Sequence, residues 1–291
     1  MNTLTVSSPA KLNLHLRVTR KRPDGYHELV TLFHRISLKD TITLKKIPRG
    51  IVLTCDYPGL PTDERNIVVR AYGLLQARFP RLGGVRVRLQ KKIPVGAGLG
   101  GGSSNAAFFL LGMNRLYRLG LSRKALVAMG KKLGADVPFF LYETNQALAV
   151  GRGDRIYPRP ARCRQGFLLL LSEKSLSTKD VFRSRHLKPG AVSLTKATGE
   201  VRMLCHFSGL QKYQEIAALI RNDLEPPAFS LRPSISKQIQ KLTRAGYPLV
   251  RMSGSGPTVF IMFSHEQEIK RHRTLVRQLF PAVRLEKVFT F

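Results

Sequence analysis

Apolar and polar residues alternate from Leu4 to Val18, with Leu12, Leu14, Leu16 and Val18 in one phase and Lys11, Asn13, His15 and Arg17 in the other. That period of two predicts a β-strand. Pro-Asp-Gly at 23–25 marks a turn, after which Val30, Leu32 and Ile36 resume a strand, followed by strands at 41–44 and 51–55. The spacing becomes helical at Val68, Val69, Ala71, Leu74 and Leu75, just after the polar run Asp63–Asn66. Alternation returns from Val85 to Ile93 and runs into glycines at 96, 98, 100, 101 and 102. A helix is then predicted through Ala106, Ala107, Leu110, Leu111 and Asn114, with Ser103 or Ser104 suited to cap it. Ser122 suits the N-cap of a further helix through Ala125, Met129 and Leu133, stopped by Gly134.

The Gly- and Pro-rich stretch 151–161 predicts a boundary, dividing the chain into domains 1–157 and 158–291. In the second part, the wholly apolar Phe167–Leu171 predicts a buried strand, and Ser177–Phe182 a loop running into a helix. Residues 188–200 are polar and predict no element. Ile235, Ile239 and Leu242 predict a helix ending at Gly246, then a second glycine turn at 252–258 and a strand over Val259–Phe263. Ser264 and Gln267 have the spacing of a capping box for a helix through Ile269, Val276 and Leu279, and Val283–Phe291 closes as a strand. This mixture of strands and helices is an α+β pattern.

Composition changes the picture in two places. The chain has 49 Lys and Arg against 18 Asp and Glu, a formal net charge of +31, which fits either a general compositional bias toward basic residues or anionic partners: nucleotides, nucleic acid or anionic surfaces. The basic residues are scattered rather than gathered in one tail, which argues against a dedicated nucleic-acid module. No apolar run reaches membrane-spanning length, and a cytosolic chain is expected. Cys55, Cys163 and Cys205 lack metal-ligand spacing, so reduced, structural thiols are expected and no protein metal site.

The candidate chemistry centres on the glycine run. Glycine lets the backbone approach a ligand closely, and a following helix start offers free N–H groups and a positive dipole end to an anion. A mobile linker would need neither the strand before it nor the helix after it. Gly96, Gly98 and Gly101 satisfy GxGxxG, but no Asp or Glu occurs from Lys91 to Ala135 to bind a ribose, and no Gly-Lys-Ser/Thr closes the loop. Lys11 and Asn13 lie two apart and can share one pocket, or Lys11 can be an exposed edge lysine. Tyr26 and His27 at a loop tip suit either a nucleobase or ordinary surface packing, and Asp136 before Val-Pro can simply cap a short helix.

Four ordered motifs resemble those of the GHMP small-molecule kinases: Ser8-Pro-Ala-Lys11-Leu-Asn13, the loop from Pro94 to Asn105, Gly134-Ala-Asp136-Val-Pro, and Ser253-Gly-Ser-Gly-Pro-Thr258. Asp24-Gly-Tyr-His-Glu28 so soon after Lys11 is similar to the branch of that superfamily acting on a cytidine-diphosphate-linked methylerythritol. The resemblance implies a two-domain fold with the site in the cleft between domains, and transfer of the ATP γ-phosphoryl group to the tertiary 2-hydroxyl of that substrate in non-mevalonate isoprenoid synthesis. It implies Asp136 as the base beside the alcohol, with Lys11 next to it. Pro94, Val95, Gly96, Ala97, Gly98, Leu99, Gly100, Gly101, Gly102, Ser103 and Ser104 would hold the ATP phosphates, with Asn66 and Lys91 on the adenosine side. Tyr26 and Phe182 would sandwich cytosine and His27 read its edge, Asn13 and Thr178 would complete the substrate pocket, and Gly254 and Ser255 would border the phosphates. Magnesium is implied with ATP, held chiefly by phosphates and water. No membrane and no dedicated nucleic-acid partner are expected, and the chain is expected as a monomer or weak homodimer. A homoserine or mevalonate kinase of the same superfamily would need no aromatic clamp, and an RNA-binding protein would bind through the charge alone.

Overall fold

Two long strands, β1 (Thr3–Lys21) and β2 (His27–Ile47), pair with each other and run through both compact units of the chain. The computed structural model describes residues 2–161, 163–172 and 174–291. One unit takes the chain up to Ala10, Leu38–Ile93 and Gly100–Glu143, and the other takes Lys11–Ser37, Pro94–Leu99 and Thr144 onward. Each unit is assembled from several separate stretches of chain, and β1 and β2 each give one part of their length to each unit.

In the first unit, β3 (Ile51–Cys55) lies parallel to β4 (Gly84–Gln90), and β4 is antiparallel to the end of β2 in a register that sets Thr41 opposite Gln90. Four helices complete it: α1 (Ile67–Arg78), α2 (Gly101–Leu116), α3 (Arg123–Leu133) and the short α4 (Val137–Leu141). Helices α1, α3 and α4 all pack on α2, whose apolar side, with Ala106, Ala107, Phe109, Leu110 and Met113, is fully buried. Ser122 caps α3 as predicted, its hydroxyl accepting from the Ala125 N–H at 3.3 Å.

In the second unit, the first part of β2 pairs antiparallel with β5 (Gln146–Gly151), and β5 with β6 (Arg155–Arg159). The Gly- and Pro-rich stretch expected as a linker is thus partly a strand. Pro158 is accommodated because β6 lies at the sheet edge, where a missing N–H leaves no ladder bond unmade. A four-stranded antiparallel sheet follows in the order β10 (Arg284–Phe289), β7 (Gly166–Leu171), β9 (Val259–Phe263), β8 (Val250–Met252). Around it lie α5 (Thr178–Arg183), α6 (Leu194–Gly209), α7 (Tyr213–Leu219), α8 (Glu225–Leu231), α9 (Pro233–Arg244) and α10 (Glu266–Leu279). Leu16 and Val18 of β1 join this unit's core with Leu168, Leu170, Val259 and Ile261.

Three local expectations are corrected. Helix α6 begins at the end of the stretch that predicted nothing; Ser193 caps it and Ala197, Val201, Leu204 and Ser208 are its buried positions. The box before α10 is shifted by one residue, with the Glu268 carboxylate accepting from the Ser264 hydroxyl and the His265 N–H. In β1 the polar phase is buried from Lys11 to His15: Lys11, Asn13 and His15 are 3%, 4% and 0% exposed. Lys11 is accordingly no edge-strand surface lysine.

Burial at this depth requires partners for the polar atoms. The His15 Nδ1 accepts from the Arg221 N–H at 3.2 Å and its Nε2–H faces the Glu200 carboxylate at 3.1 Å, a pattern that fits the neutral ring. Burial, with Arg17 and Arg221 nearby, pushes its pKa down to about 3. Burial alone pushes His34, bonded through Nε2 to Gln146 at 2.9 Å, down to about 4. The unfolded chain takes up a proton near 6.5 and the folded chain resists it, so stability falls as pH drops from about 6.5 toward 4. For His34 the loss is on the order of 3 kcal/mol. Urea midpoints measured across that range are expected to fall less steeply for His34→Gln than for the parent; equal slopes would remove His34 from the account.

The three cysteines are half-buried, and burial raises the pKa of Cys55 and of Cys163, whose thiol donates to the Ser208 carbonyl at 3.0 Å. Among the described residues no helix is long and apolar enough to cross a membrane.

Candidate active site

The second unit brings Lys11, Asn13, residues 96–99 and the 253–258 turn together. The Lys11 N–H donates to the Leu99 carbonyl at 3.0 Å, extending β1 against the glycine loop. The Lys11 Nζ donates to the Asn13 Oδ1 and, at 3.1 Å, to the Gly98 carbonyl, and lies 5.3 Å from the Phe33 ring centroid. The Gly98 carbonyl also accepts from the Ser253 hydroxyl at 3.2 Å. Gly98 has φ +77°, and a Cβ there would sit 2.3 Å from the Ser253 carbonyl oxygen, so only glycine fits. Gly254, with φ +57°, presses on the same cluster: a Cβ there would lie 2.9 Å from the Asn13 Oδ1 and 3.3 Å from the Lys11 Nζ.

Positive φ recurs on alternate residues at Gly96, Gly98 and Gly100, the backbone pattern from which anion-binding nests are made. Pro94 is half-buried, Val95 is exposed at 40% and Ala97 is buried, its carbonyl accepting from the Thr258 N–H at 3.4 Å. Thr178 and Ser255 share a hydroxyl hydrogen bond of 2.8 Å. His27 stacks on Phe182, with ring centroids 5.4 Å apart and planes 29° apart. Phe182 therefore rests on His27. Tyr26 is 56% exposed, with the Arg152 guanidinium 4.9 Å from its ring centroid. Burial first, and Lys21 second, hold the His27 pKa below the ordinary imidazole value, so its ring is neutral at pH 7.

The first unit holds the helix start. Helix α2 is capped by Gly100 in the left-handed conformation, φ 68°, and no side chain caps it. Ser103 and Ser104, expected as caps, lie inside the helix because the glycines let it begin three residues earlier. The Ser104 hydroxyl, fully buried, donates to the Pro9 carbonyl at 2.6 Å and accepts from Ser8 at 2.8 Å. Ser103 is half-buried and Gly102 exposed, so the first turn presents N–H groups with no intrahelical partner. The Ser103 Oγ lies 3.9 Å from where a Cβ on Gly134 would stand, which sets the helix start beside the Gly134–Asp136 turn. Asp136 precedes α4 at the N-cap position, but its side chain makes no capping bond, contrary to the purely structural role the sequence allowed.

Two expected nucleotide contacts have their polar atoms engaged inside this unit. Asn66 caps α1, its Oδ1 accepting from the Val68 N–H at 2.9 Å and its Nδ2 donating to the Pro61 carbonyl at 2.7 Å. Lys91 pairs with the fully buried Asp40 and donates to the Asn105 Oδ1 at 3.2 Å. Asp40 also accepts from the N–H groups of Lys92 at 2.7 Å and Ile93 at 2.9 Å, fixing the residues that lead into the loop. Asp40 and Thr31 lie in none of the sequence motifs, and Asn105 and Ser253 stand in motifs without an assigned role.

The family profiles for the GHMP kinases N terminal domain and the GHMP kinases C terminal match residues 66–144 and 207–281, so the chain has the two-domain α+β architecture of a GHMP kinase. The 4-diphosphocytidyl-2-C-methyl-D-erythritol kinase of Syntrophus aciditrophicus is 39% identical over 275 residues, 94% of each chain. The crystal structure of a 4-(cytidine 5'-diphospho)-2C-methyl-D-erythritol kinase superposes with a TM-score of 0.80 at 32% identity, covering 99% of this chain and 100% of that one. A homoserine kinase from Cytophaga hutchinsonii, at 18% identity and TM-score 0.75 over 100% and 95% of the two chains, shares the fold alone. The chain belongs to the 4-diphosphocytidyl-2-C-methyl-D-erythritol kinase family.

Proposed function

We propose that this chain transfers the γ-phosphoryl group of ATP to the tertiary 2-hydroxyl of 4-(cytidine 5'-diphospho)-2-C-methyl-D-erythritol. The observation that carries this reading is the Lys11 ammonium fastened to the glycine loop through the Gly98 carbonyl, which sets a cation against a phosphate-binding backbone. Phosphoryl transfer is loose, so the rate comes from alignment and charge neutralisation. In this reading the loop from Pro94 and the N–H groups opening α2 hold the phosphates, and Lys11 neutralises charge that develops on the moving group. Asp136 orients the hydroxyl and takes its proton late, since a carboxylate is too weak a base to deprotonate an alcohol beforehand. Asn13, Thr178, Gly254 and Ser255 border the substrate. Tyr26 offers its exposed ring to cytosine, and the neutral His27, backed by Phe182, can both donate and accept at the base edge. Lys91 and Asn66 support the adenosine side with backbone and stem rather than with their engaged polar ends.

Magnesium fits as an ion carried by the nucleotide. Among the described residues no three His, Cys, Asp or Glu side chains gather to hold a metal, and the Ser104 hydroxyl is engaged with Pro9 and Ser8. At the helix start the half-buried Ser103 hydroxyl would be the residue to help hold the ion. The ion would neutralise charge on those phosphates. The matches at 66–144 and 207–281 fall on either side of residue 157, which supports an ATP-binding part at 1–157 and a C-terminal part at 158–291. Localisation in the cytoplasm and a monomer or weak homodimer belong to the same reading.

ATP consumption with the cytidylated substrate, homoserine and mevalonate side by side tests it. Turnover is expected with the first alone, and preference for either of the others would sink the assignment.

A further inference from the structure

We propose that Thr31 is the positioning residue for Lys11 and acts through the side-chain amide of Asn13. This rests on the proposed role of Lys11. Thr31 is fully buried on β2, and its hydroxyl has a single proton. That proton goes to the His15 carbonyl at 2.7 Å. The hydroxyl can then only accept from Asn13, and it does, from Nδ2 at 2.8 Å. The amide of Asn13 is thereby fixed in one of its two orientations, NH2 toward Thr31 and Oδ1 toward the Lys11 ammonium. Turned over, the amide would point its NH2 at a cation and leave Lys11 without this acceptor.

Ser253 reinforces the arrangement from the other side. Its hydroxyl donates to the Gly98 carbonyl and accepts from the Asn13 backbone N–H at 3.3 Å. Each of these hydrogen bonds has one possible direction: the His15 carbonyl, which has no proton to give, sets it for Thr31 and hence for the Asn13 amide, and the Gly98 carbonyl sets it for Ser253. Thr31 touches neither the loop nor the 253–258 turn in these contacts, so its effect on turnover must pass through Asn13.

Steady-state kinetics and thermal melting on Thr31→Val, Thr31→Ser, Asn13→Leu and Lys11→Met test this. Thr31→Val keeps the shape and removes the hydroxyl; a misaimed catalytic group costs about 10–100-fold, and that loss is expected in kcat with KM for ATP held within about threefold. Thr31→Ser is expected within about threefold of the parent in kcat. In the Asn13→Leu background, adding Thr31→Val is expected to change kcat no further, because the relay is already broken. Should Thr31→Val not fold, Thr31→Cys keeps the volume with a weak acceptor, and a loss of about fivefold or more in kcat is expected there. A parent-like kcat in Thr31→Val or Thr31→Cys, or a full further loss in the Asn13→Leu background, overturns the proposal. So does a lowered melting temperature with unchanged kcat per folded molecule, the outcome of a purely structural threonine. Lys11→Met separates the two levels. Parent-like turnover there removes the role of Lys11 itself, while an inactive Lys11→Met beside a fully active Thr31→Val removes only the role of Thr31.

Discussion

An Asp136→Asn chain is expected to melt within about 2 °C of the parent and to turn over about 10²–10⁴ times more slowly. The first half of the expectation comes from the start of α4, where the Asp136 side chain makes no capping bond and asparagine keeps the same shape. The second half comes from charge. A carboxylate beside the acceptor hydroxyl can take its proton as the bond to phosphorus forms, and an amide cannot. The structural alternative makes the opposite forecast, since a lost cap costs about 1 kcal/mol of stability and leaves kcat alone. A coupled ADP-release assay beside a melting curve separates them. Near-parental rates with a lowered melting temperature would return Asp136 to the role of a helix cap.

Removal of Asp40 is the second large effect, and it falls on stability. The carboxylate is fully buried, pairs with the Lys91 ammonium, and accepts from the Asn105 Nδ2 at 2.9 Å and the N–H groups of Lys92 and Ile93. Asp40→Ala leaves that ammonium uncompensated in the interior and those donors unpaired, at a cost of about 3–5 kcal/mol. Replacing both charges is expected to be milder, because no lone charge remains: Asp40→Leu combined with Lys91→Met should recover at least half of the loss in a urea titration. A double variant as unstable as Asp40→Ala would show that the backbone donors of Lys92 and Ile93, rather than Lys91, need the carboxylate.

These two residues illustrate what was legible in the sequence. Asp136 stands in a motif whose order along the chain carried its meaning. Asp40 has no motif, and its partners Lys91 and Asn105 lie 51 and 65 residues away, a separation that periodicity does not bridge. Most strands and most helices followed from spacing, down to the Ser122 cap and the Gly134 stop, while β5, β6 and β8 carried no prediction. Helix α6 was missed, because its polar first turns hid the start, although Ala197, Val201, Leu204 and Ser208 carry its spacing. Alternation in β1 gave the strand and concealed that its polar face is buried, because a period of two reports direction and not depth. The glycines were read correctly as unusual backbone and incorrectly as needing a serine cap; Gly100 in the left-handed conformation begins the helix without one. Tyr26, His27 and Phe182 were grouped by the family resemblance alone, while the stacking of His27 on Phe182 depends on packing within the second unit.

The Gly98 carbonyl accepts from both the Lys11 ammonium and the Ser253 hydroxyl. A trans peptide is planar and its N–H points opposite to its C=O, so these two donors dictate where the Leu99 N–H faces. A glycine-rich segment would ordinarily surrender much conformational entropy when a ligand orders it. Here the ordering is done when the chain folds, and a nucleotide meets a peptide plane that no longer has to choose. The permissive residue supplies the shape, the lysine and serine remove the freedom, and binding energy that a floppy loop would consume is left for the transition state.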